Sequence, residues 1–433
     1  MITHLRAENF KPWRTGELQL APLTGLFGTN NSGKTSLLQI LPMLKQTAES
    51  ADLARVLDTG DIDSPVYMGT FSDIIHGHQL DAPLAFSLSW TLPDPLIINN
   101  PKNQDTPLYT IPELSFTTML RWESDRPTVE QFVYEFEGHR FGMRRCQGPA
   151  EQYDLTCSDY QLEPIQTPTP LLPAPIKCYG FPPEAMGYFK NTGFLPYFQL
   201  AFERLFATLH YLGPVRCYPQ RTYEWGGNKP ADAGWDGDAA IPALLAWHSQ
   251  EPVEKSLREL GLVETLKVKE LAPGVYQCHV KTGNDTTEVL LPDVGFGVSQ
   301  LLPVLVNCSM LAKGSTLVLE HPEMHLHPFA QAALADVLIN AVTTGKLQII
   351  VESHSEHFLR RLQLGIAEEK ISSKQVALYF CRLENGLSTI EALDIDPYGS
   401  ILNWPEHFFG DEMGELSKMT LKVMERRKGA RQS

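Results

Sequence analysis

At 433 residues, with 43% hydrophobic and 20% charged side chains, the chain is long enough for about two or three hydrophobic cores and has an ordinary globular composition. No run of about 18 apolar residues offers a membrane-spanning helix, and Met1–Phe10 lacks the basic region and apolar core of a secretory signal. Seven cysteines without a Cys-x-x-Cys pair are unlike a zinc or disulfide framework and suit a reducing cytoplasm, and a net charge of −15 is not that of a protein held to DNA by a basic surface.

In chain order, Ile2–Asn9 reads as an edge strand and Leu18–Phe27 as a buried one. Gly28-Thr29-Asn30-Asn31-Ser32-Gly33-Lys34-Thr35 follows at once and fits the phosphate-loop pattern G-x-x-x-x-G-K-[ST]. From Ser36 to Leu44 apolar residues recur at helical spacing. Strand, loop and helix are the context this chemistry needs. The glycines let backbone N–H groups wrap a phosphate chain, and the helix N-terminus adds free donors and a positive dipole end. Lys34 would reach the β- and γ-phosphates, and the Thr35 hydroxyl would hold Mg²⁺. Gly28, Asn30, Asn31, Ser32, Gly33, Lys34, Thr35 and Ser36 are therefore the expected cradle of ATP.

Ser64–His78 passes through a loop. Between 82 and 160, alternating aromatic-rich runs such as Ala85–Leu92 and Phe132–Phe136 predict antiparallel strands. The proline-dense stretch Pro164–Pro175 predicts an irregular connection, and a helix is expected from Pro196 to His210. Asp293-Val-Gly-Phe-Gly297-Val298-Ser299-Gln300 then opens the helix Leu301–Leu311, so that Gly297, Ser299 and Gln300 make a second anion site. Thr316-Leu-Val-Leu-Glu320 is a β-rich run ending in an acid, the form of a Walker B strand whose carboxylate holds Mg²⁺. Leu347–Val351 is a further buried strand, with Glu352-Ser353-His354-Ser355 at its carboxyl end. Ligands gather at that edge of an open α/β sheet, which places His354 to meet the γ-phosphate.

The order of phosphate loop, Gly-x-Ser-x-Gln, strand plus Glu and strand plus His resembles the ATP-binding-cassette (ABC) type of ATPase. Transporters, RecF-class recombination ATPases and chromosome-maintenance ATPases share that order. The chain is most similar to small bacterial AAA-type ATPases related to the overcoming-lysogenization-defect nucleases, through Glu320-His-Pro-Glu-Met-His-Leu-His-Pro328 and Ser353-His-Ser-Glu356. Tyr211–Arg216 and Gln220–Tyr223 add to the likeness, and Asn403–Phe409 looks like the small uncharacterised domain that closes many members of that branch. The resemblance implies an α/β fold: an ABC-type P-loop ATPase with an inserted antiparallel β-rich region and a small C-terminal domain. The first ATPase lobe falls at 1–80, the insert and proline-rich connection at 81–195, the second lobe at 196–375 and the closing domain at 376–433. It also implies a head-to-tail homodimer or higher even oligomer, with each ATP held between one subunit's phosphate loop and the other's Ser299 turn.

His321 departs from that pattern, because a glutamate that positions the attacking water normally follows the Walker B acid. Glu323 stands two residues further on. Glu320, His321, Glu323 and His354 are thus the candidate catalytic residues, Thr35 and Glu320 the metal ligands, and turnover should be slow. His321, His325, His327, His354 and His357 crowd into 37 positions, and zinc is the alternative to a simple loop cap there. Asp394 and Asp396 resemble the acidic pair of a Toprim nuclease but read better as a strand end before the turn at Pro397. Arg216 and Arg221 suit a phosphate, a cross-subunit carboxylate or a structural salt bridge.

The functional expectation is a cytoplasmic, membrane-free ATPase that controls a separate nuclease or toxin effector in antiphage defence, with Septu-type ATPases as near relatives. A RecF-like repair ATPase acting directly on DNA is the alternative, and a non-hydrolysing scaffold is a third reading. The insert at 82–160 and Asn403–Phe409 are the expected docking surfaces, unless Trp404, Phe408 and Phe409 complete the core.

Overall fold

The computed structural model describes residues 1–101, 103–148, 151–405, 408, 419 and 422. Its first strands are β1 (Ile2–Phe10), β2 (Trp13–Gln19) and β3 (Leu23–Gly28), followed by β4 (Leu84–Asn100), β5 (Asn103–Glu123), β6 (Arg126–Phe136), β7 (His139–Arg145) and β8 (Tyr153–Cys157). Then come β9 (Leu209–Leu212), β10 (Tyr223–Glu224), β11 (Thr265–Ala272), β12 (Val275–Lys281), β13 (Val289–Leu290), β14 (Thr316–Glu320), β15 (Gln348–Glu352), β16 (Val376–Glu384) and β17 (Leu387–Leu393).

A six-stranded sheet in the order β17-β16-β3-β15-β14-β9 forms the centre. All of its pairings are parallel except that of β16 with β17. Every residue of Thr316-Leu-Val-Leu-Glu and Gln348-Ile-Ile-Val-Glu is buried, as continuous apolar runs require when helices cover both faces of a parallel sheet. The covering helices include Ile40–Glu49, Phe296–Met310, Pro328–Thr343 and Glu356–Ala367. In register, Glu320 lies opposite Glu352 and Glu352 opposite Leu26, so the carboxyl ends of β14, β15 and β3 finish along one edge. That edge carries the site.

A seven-stranded antiparallel sheet, β2-β1-β4-β5-β6-β7-β8, packs beside it. Its core is aromatic: Phe116, Tyr134 and Phe198 interlock, with Tyr134 and Phe198 stacked at 5.6 Å. A small sheet of β10, β12 and β11, with β13 paired to β12, precedes the helix Phe296–Met310. Among the described residues no helix is long and apolar enough to cross a membrane.

Four local expectations shift. Ile2–Asn9 is no edge strand, because β1 lies between β2 and β4; the antiparallel sheet therefore runs across the expected boundary at residue 80. Leu18–Phe27 divides into the end of β2 and all of β3 at Pro22, where the chain leaves one sheet for the other and a residue without an N–H costs no ladder bond. The helix ends at Ala207 rather than His210, since Leu209–Leu212 serves as the outer strand beside β14. β16, placed by sequence in the closing domain, pairs with β3 directly behind the phosphate loop.

Asp396 accepts from the N–H groups of Tyr398 and Ser400, closing the turn after β17. Phe408 is buried, stacked on Phe380 at 4.6 Å and 6.0 Å from Phe27. Trp404 lies under the Arg360 guanidinium at 4.4 Å. Phe409 and most of the residues after Pro405 lie outside the described residues.

Candidate active site

The loop after β3 is shaped by backbone that few residues tolerate. Gly28 and Gly33 have φ of 137° and 85°, and Asn31 sits at 62°. A Cβ on Gly28 would lie 2.0 Å from the Cys381 carbonyl oxygen on β16, so the close strand pairing itself demands glycine. Trp13 braces the loop from outside, its indole N–H donating to the Gly33 carbonyl at 2.9 Å. Asn30 and Asn31 are exposed at the loop tip, Ser32 is buried, and Ser36 lies in the first turn of the helix Lys34–Leu38. Lys34 is buried and folds into the loop, donating to the Thr29 carbonyl (2.8 Å), the Gly28 carbonyl (3.2 Å) and Ser32 Oγ (3.2 Å).

Facing the loop is a group of buried acids. Glu320, fully buried, accepts at Oε1 from the Tyr211 hydroxyl (2.8 Å) and Gln39 Nε2 (3.1 Å), while Arg216 Nη2 donates to its main-chain carbonyl at 3.0 Å. Glu352 accepts at Oε1 from the Thr35 hydroxyl at 2.9 Å and lies 3.8 Å from the Lys34 ammonium. Glu323 Oε1 accepts from the His354 N–H at 2.8 Å, which braces the segment carrying that histidine. The His321 and His354 rings stack at 5.0 Å and 12°, and His321 Nε2 is 3.6 Å from Glu352 Oε1.

The electrostatics follow from burial. Loss of solvent, and then repulsion from Glu352, pushes the Glu320 carboxyl up to about 8. Burial pushes Glu352 up to about 7 against the pull of Lys34, and raises Glu323 as well. Burial drives His321 down to about 4, helped by His354, Lys34 and Arg216, and lowers His354 likewise. Both imidazoles are held neutral at pH 7, so each keeps a ring nitrogen able to accept a hydrogen bond.

The free Oε2 atoms of Glu320, Glu323 and Glu352, with Nε and Nη1 of Arg216, are buried without a hydrogen-bond partner in the chain. Natural proteins leave few such atoms, so their concentration at one sheet edge indicates a place built for polar ligands. A triphosphate with Mg²⁺ fits this set. Lys34 and the loop N–H groups would hold the phosphates, and Thr35 with the free carboxylate oxygens would hold the hard cation. Bound there, the nucleotide supplies the phosphoryl group that water attacks.

Lys34, Thr35, Glu320, His321, Glu323 and His354 thus converge on one edge, whereas Gly297, Ser299 and Gln300 open a separate helix. The Ser299 hydroxyl donates to the Phe296 carbonyl of its own helix at 2.8 Å. Gln300 is buried with its Nε2 unpartnered, and Gly297 backs onto the His325 carbonyl, 2.9 Å from where a Cβ would stand. His321, Glu352 and His354 form the one group among the described residues with three metal-capable ligand atoms, all within 4.8 Å of one another; His325, His327 and His357 stay outside it. Arg221 makes an exposed ion pair with Asp293 at 2.7 Å. Sequence reasoning gave no role to Glu352, Tyr211 or Gln39. The available signal was two five-residue strands each ending in Glu.

Residues 1–106 match the family model described as AAA ATPase domain, and residues 240–360 match AAA domain, putative AbiEii toxin, Type IV TA system. Residues 371–419 match a protein family of unknown function, DUF3696. Among solved structures the chain is similar to an Smc head bound to the C-winged helix domain of ScpA (10% identity, 92% of this chain and 98% of that one, TM-score 0.46). It is similar also to the SMC head domain from Thermotoga maritima (10%, 91% and 99%, 0.40). A third is the Smc head with an extended coiled coil bound to the C-terminal domain of ScpA, derived from Pyrococcus furiosus (8%, 98% and 99%, 0.44). None of the curated proteins matches the chain. The fold is α/β, with a phosphate loop at the end of a central parallel strand, and the two AAA-domain matches make the chain an ATPase.

Proposed function

We propose that this ATPase works in the cytoplasm as an ATP-gated head-to-tail dimer, slow in turnover, that controls a separate nuclease or toxin effector in bacterial antiphage defence. The observation that carries the reading is the division of the anion-binding elements. The phosphate loop, acids and His354 share one sheet edge, while Gly297 opens a different helix that packs on His325, with Phe296 38% and Tyr218 71% exposed beside it. A second cradle on an open apolar surface suits the nucleotide of another copy. Slow turnover follows from an imidazole, His321, in the place of the usual glutamate.

The effector reading draws on three supports. Asp394 and Asp396 lie at a turn, where Asp396 Oδ1 accepts from the N–H groups of Tyr398 and Ser400 and the Asp394 N–H donates to Asn403 Oδ1. The net charge of −15 favours a protein partner over DNA. The family model over 240–360 is described as AAA domain, putative AbiEii toxin, Type IV TA system, and a Septu-type ATPase as near relative belongs to this proposal.

Sedimentation with and without Mg²⁺–ATP tests the dimer. Wild type should dimerise, and Phe296→Arg should stay monomeric while binding ATP normally; a Phe296→Arg protein that dimerises like wild type refutes the arrangement. Co-expression with the product of the neighbouring reading frame tests the effector. The chain alone should leave plasmid and single-stranded DNA intact, and cleavage lost on changing Asp394 and Asp396 would make it a self-contained nuclease.

A further inference from the structure

We propose that Glu352, at the end of β15, is the main carboxylate for the divalent cation of the bound nucleotide, a role the sequence assigns to Glu320 on β14. The inference rests on the reading of this site as one for Mg²⁺–ATP.

Strand order comes first. β15 lies between β14 and β3, and Glu320, Glu352 and Leu26 stand in register across the three strands. With neighbouring strands about 4.8 Å apart, Glu352 is one strand from the phosphate-loop strand and Glu320 two. The loop's own partners agree. The Thr35 hydroxyl, the side chain that this loop turns toward the cation, is bonded to Glu352 at 2.9 Å, and the Lys34 ammonium stands 3.8 Å from the same oxygen. Glu320 is tied back instead, with Tyr211 and Gln39 on one oxygen and Arg216 on its carbonyl. It anchors the strand end rather than the cation.

The surroundings of Glu352 match the role. Its Oε2, like that of Glu320, is buried with no partner in the chain, but only at Glu352 does the other oxygen hold Thr35. His321 Nε2 lies 3.6 Å from Glu352, and His321, Glu352 and His354 are the three grouped metal-capable residues. Two neutral imidazoles beside a carboxylate accept borderline cations better than a carboxylate alone, so Mn²⁺ should replace Mg²⁺ with no loss.

Calorimetric ATP binding by the full-length chain, in EDTA and in Mg²⁺, separates the alternatives, with Mn²⁺ uptake followed by electron paramagnetic resonance. Glu352→Gln should keep the EDTA affinity yet lose at least about tenfold of the gain from Mg²⁺ and the tight Mn²⁺, while Glu320→Gln loses under about threefold. Glu352→Asp, which keeps a carboxylate, should recover part of the gain and guards against a folding defect in the glutamine variant. A Glu352→Gln protein with the wild-type metal dependence, or equal losses in both glutamine variants, would overturn the assignment. Wild-type protein that binds no ATP in either condition would instead remove the nucleotide reading itself.

Discussion

Neutralising Glu320 should stabilise the nucleotide-free protein, and by an amount that grows with pH. The carboxyl is fully buried with one oxygen unpartnered, and burial with Glu352 opposite pushes it up to about 8 from an ordinary 4.5. The sign follows directly. In the unfolded chain the group ionises near 4.5; in the folded chain it holds its proton to about 8, so folding takes up a proton between those values and stability falls as pH rises through that window. At about 1.4 kcal/mol per pH unit, the penalty reaches about 5 kcal/mol above pH 8. Glu320→Gln keeps the acceptor for Tyr211 and Gln39 but places an unpartnered N–H₂ where the free oxygen was, costing about 2 kcal/mol. The net gain is about 3 kcal/mol at pH 8.5 and near zero at pH 5.5. For 433 residues, at about 2.1 cal/mol/K each, that corresponds to a rise in melting temperature of about 3 °C. Differential scanning calorimetry in EDTA at the two pH values measures it. A gain of the same size at both, or a loss at pH 8.5, would refute the electrostatic account.

Lys34→Ala should abolish ATP binding by calorimetry in a folded protein, since the side chain is the buried cation of the loop. Gly28→Ala should lower the melting temperature and ATP affinity together, because its Cβ would meet the Cys381 carbonyl at 2.0 Å; wild-type values for both would show that the strands separate freely. His321→Glu should raise phosphate release above a slow wild-type rate, and a wild-type turnover of about ten per second or more, unmoved by changes at His321 and Glu323, would point to another route. Phe408→Ala should cost about 3 kcal/mol in denaturant unfolding and weaken ATP binding, because its ring packs on Phe380 and Phe27, one residue before the loop.

The phosphate loop was legible because its chemistry is contiguous. Eight successive residues carry the glycines, the lysine and the threonine, and the backbone they need is local: φ of 137° at Gly28 and 85° at Gly33. Thr316–Glu320 and Leu347–Val351 were legible as buried strands for a similar reason, since an unbroken apolar run of that length suits a sheet covered on both faces. Only the tertiary structure decided which strands are neighbours. An apolar run says that a strand is buried, but nothing in it names the partner, and the pairings of β3 with β15 and β16 join residues more than 300 positions apart. From that order alone comes the placing of Glu352 beside Thr35 and of Cys381 against Gly28. Glu320 looked sufficient along the chain because its acid closes a Walker B run. Across the sheet it stands one strand further from the loop than Glu352, and distance to the phosphates is set by strand order, which the chain's local pattern does not encode.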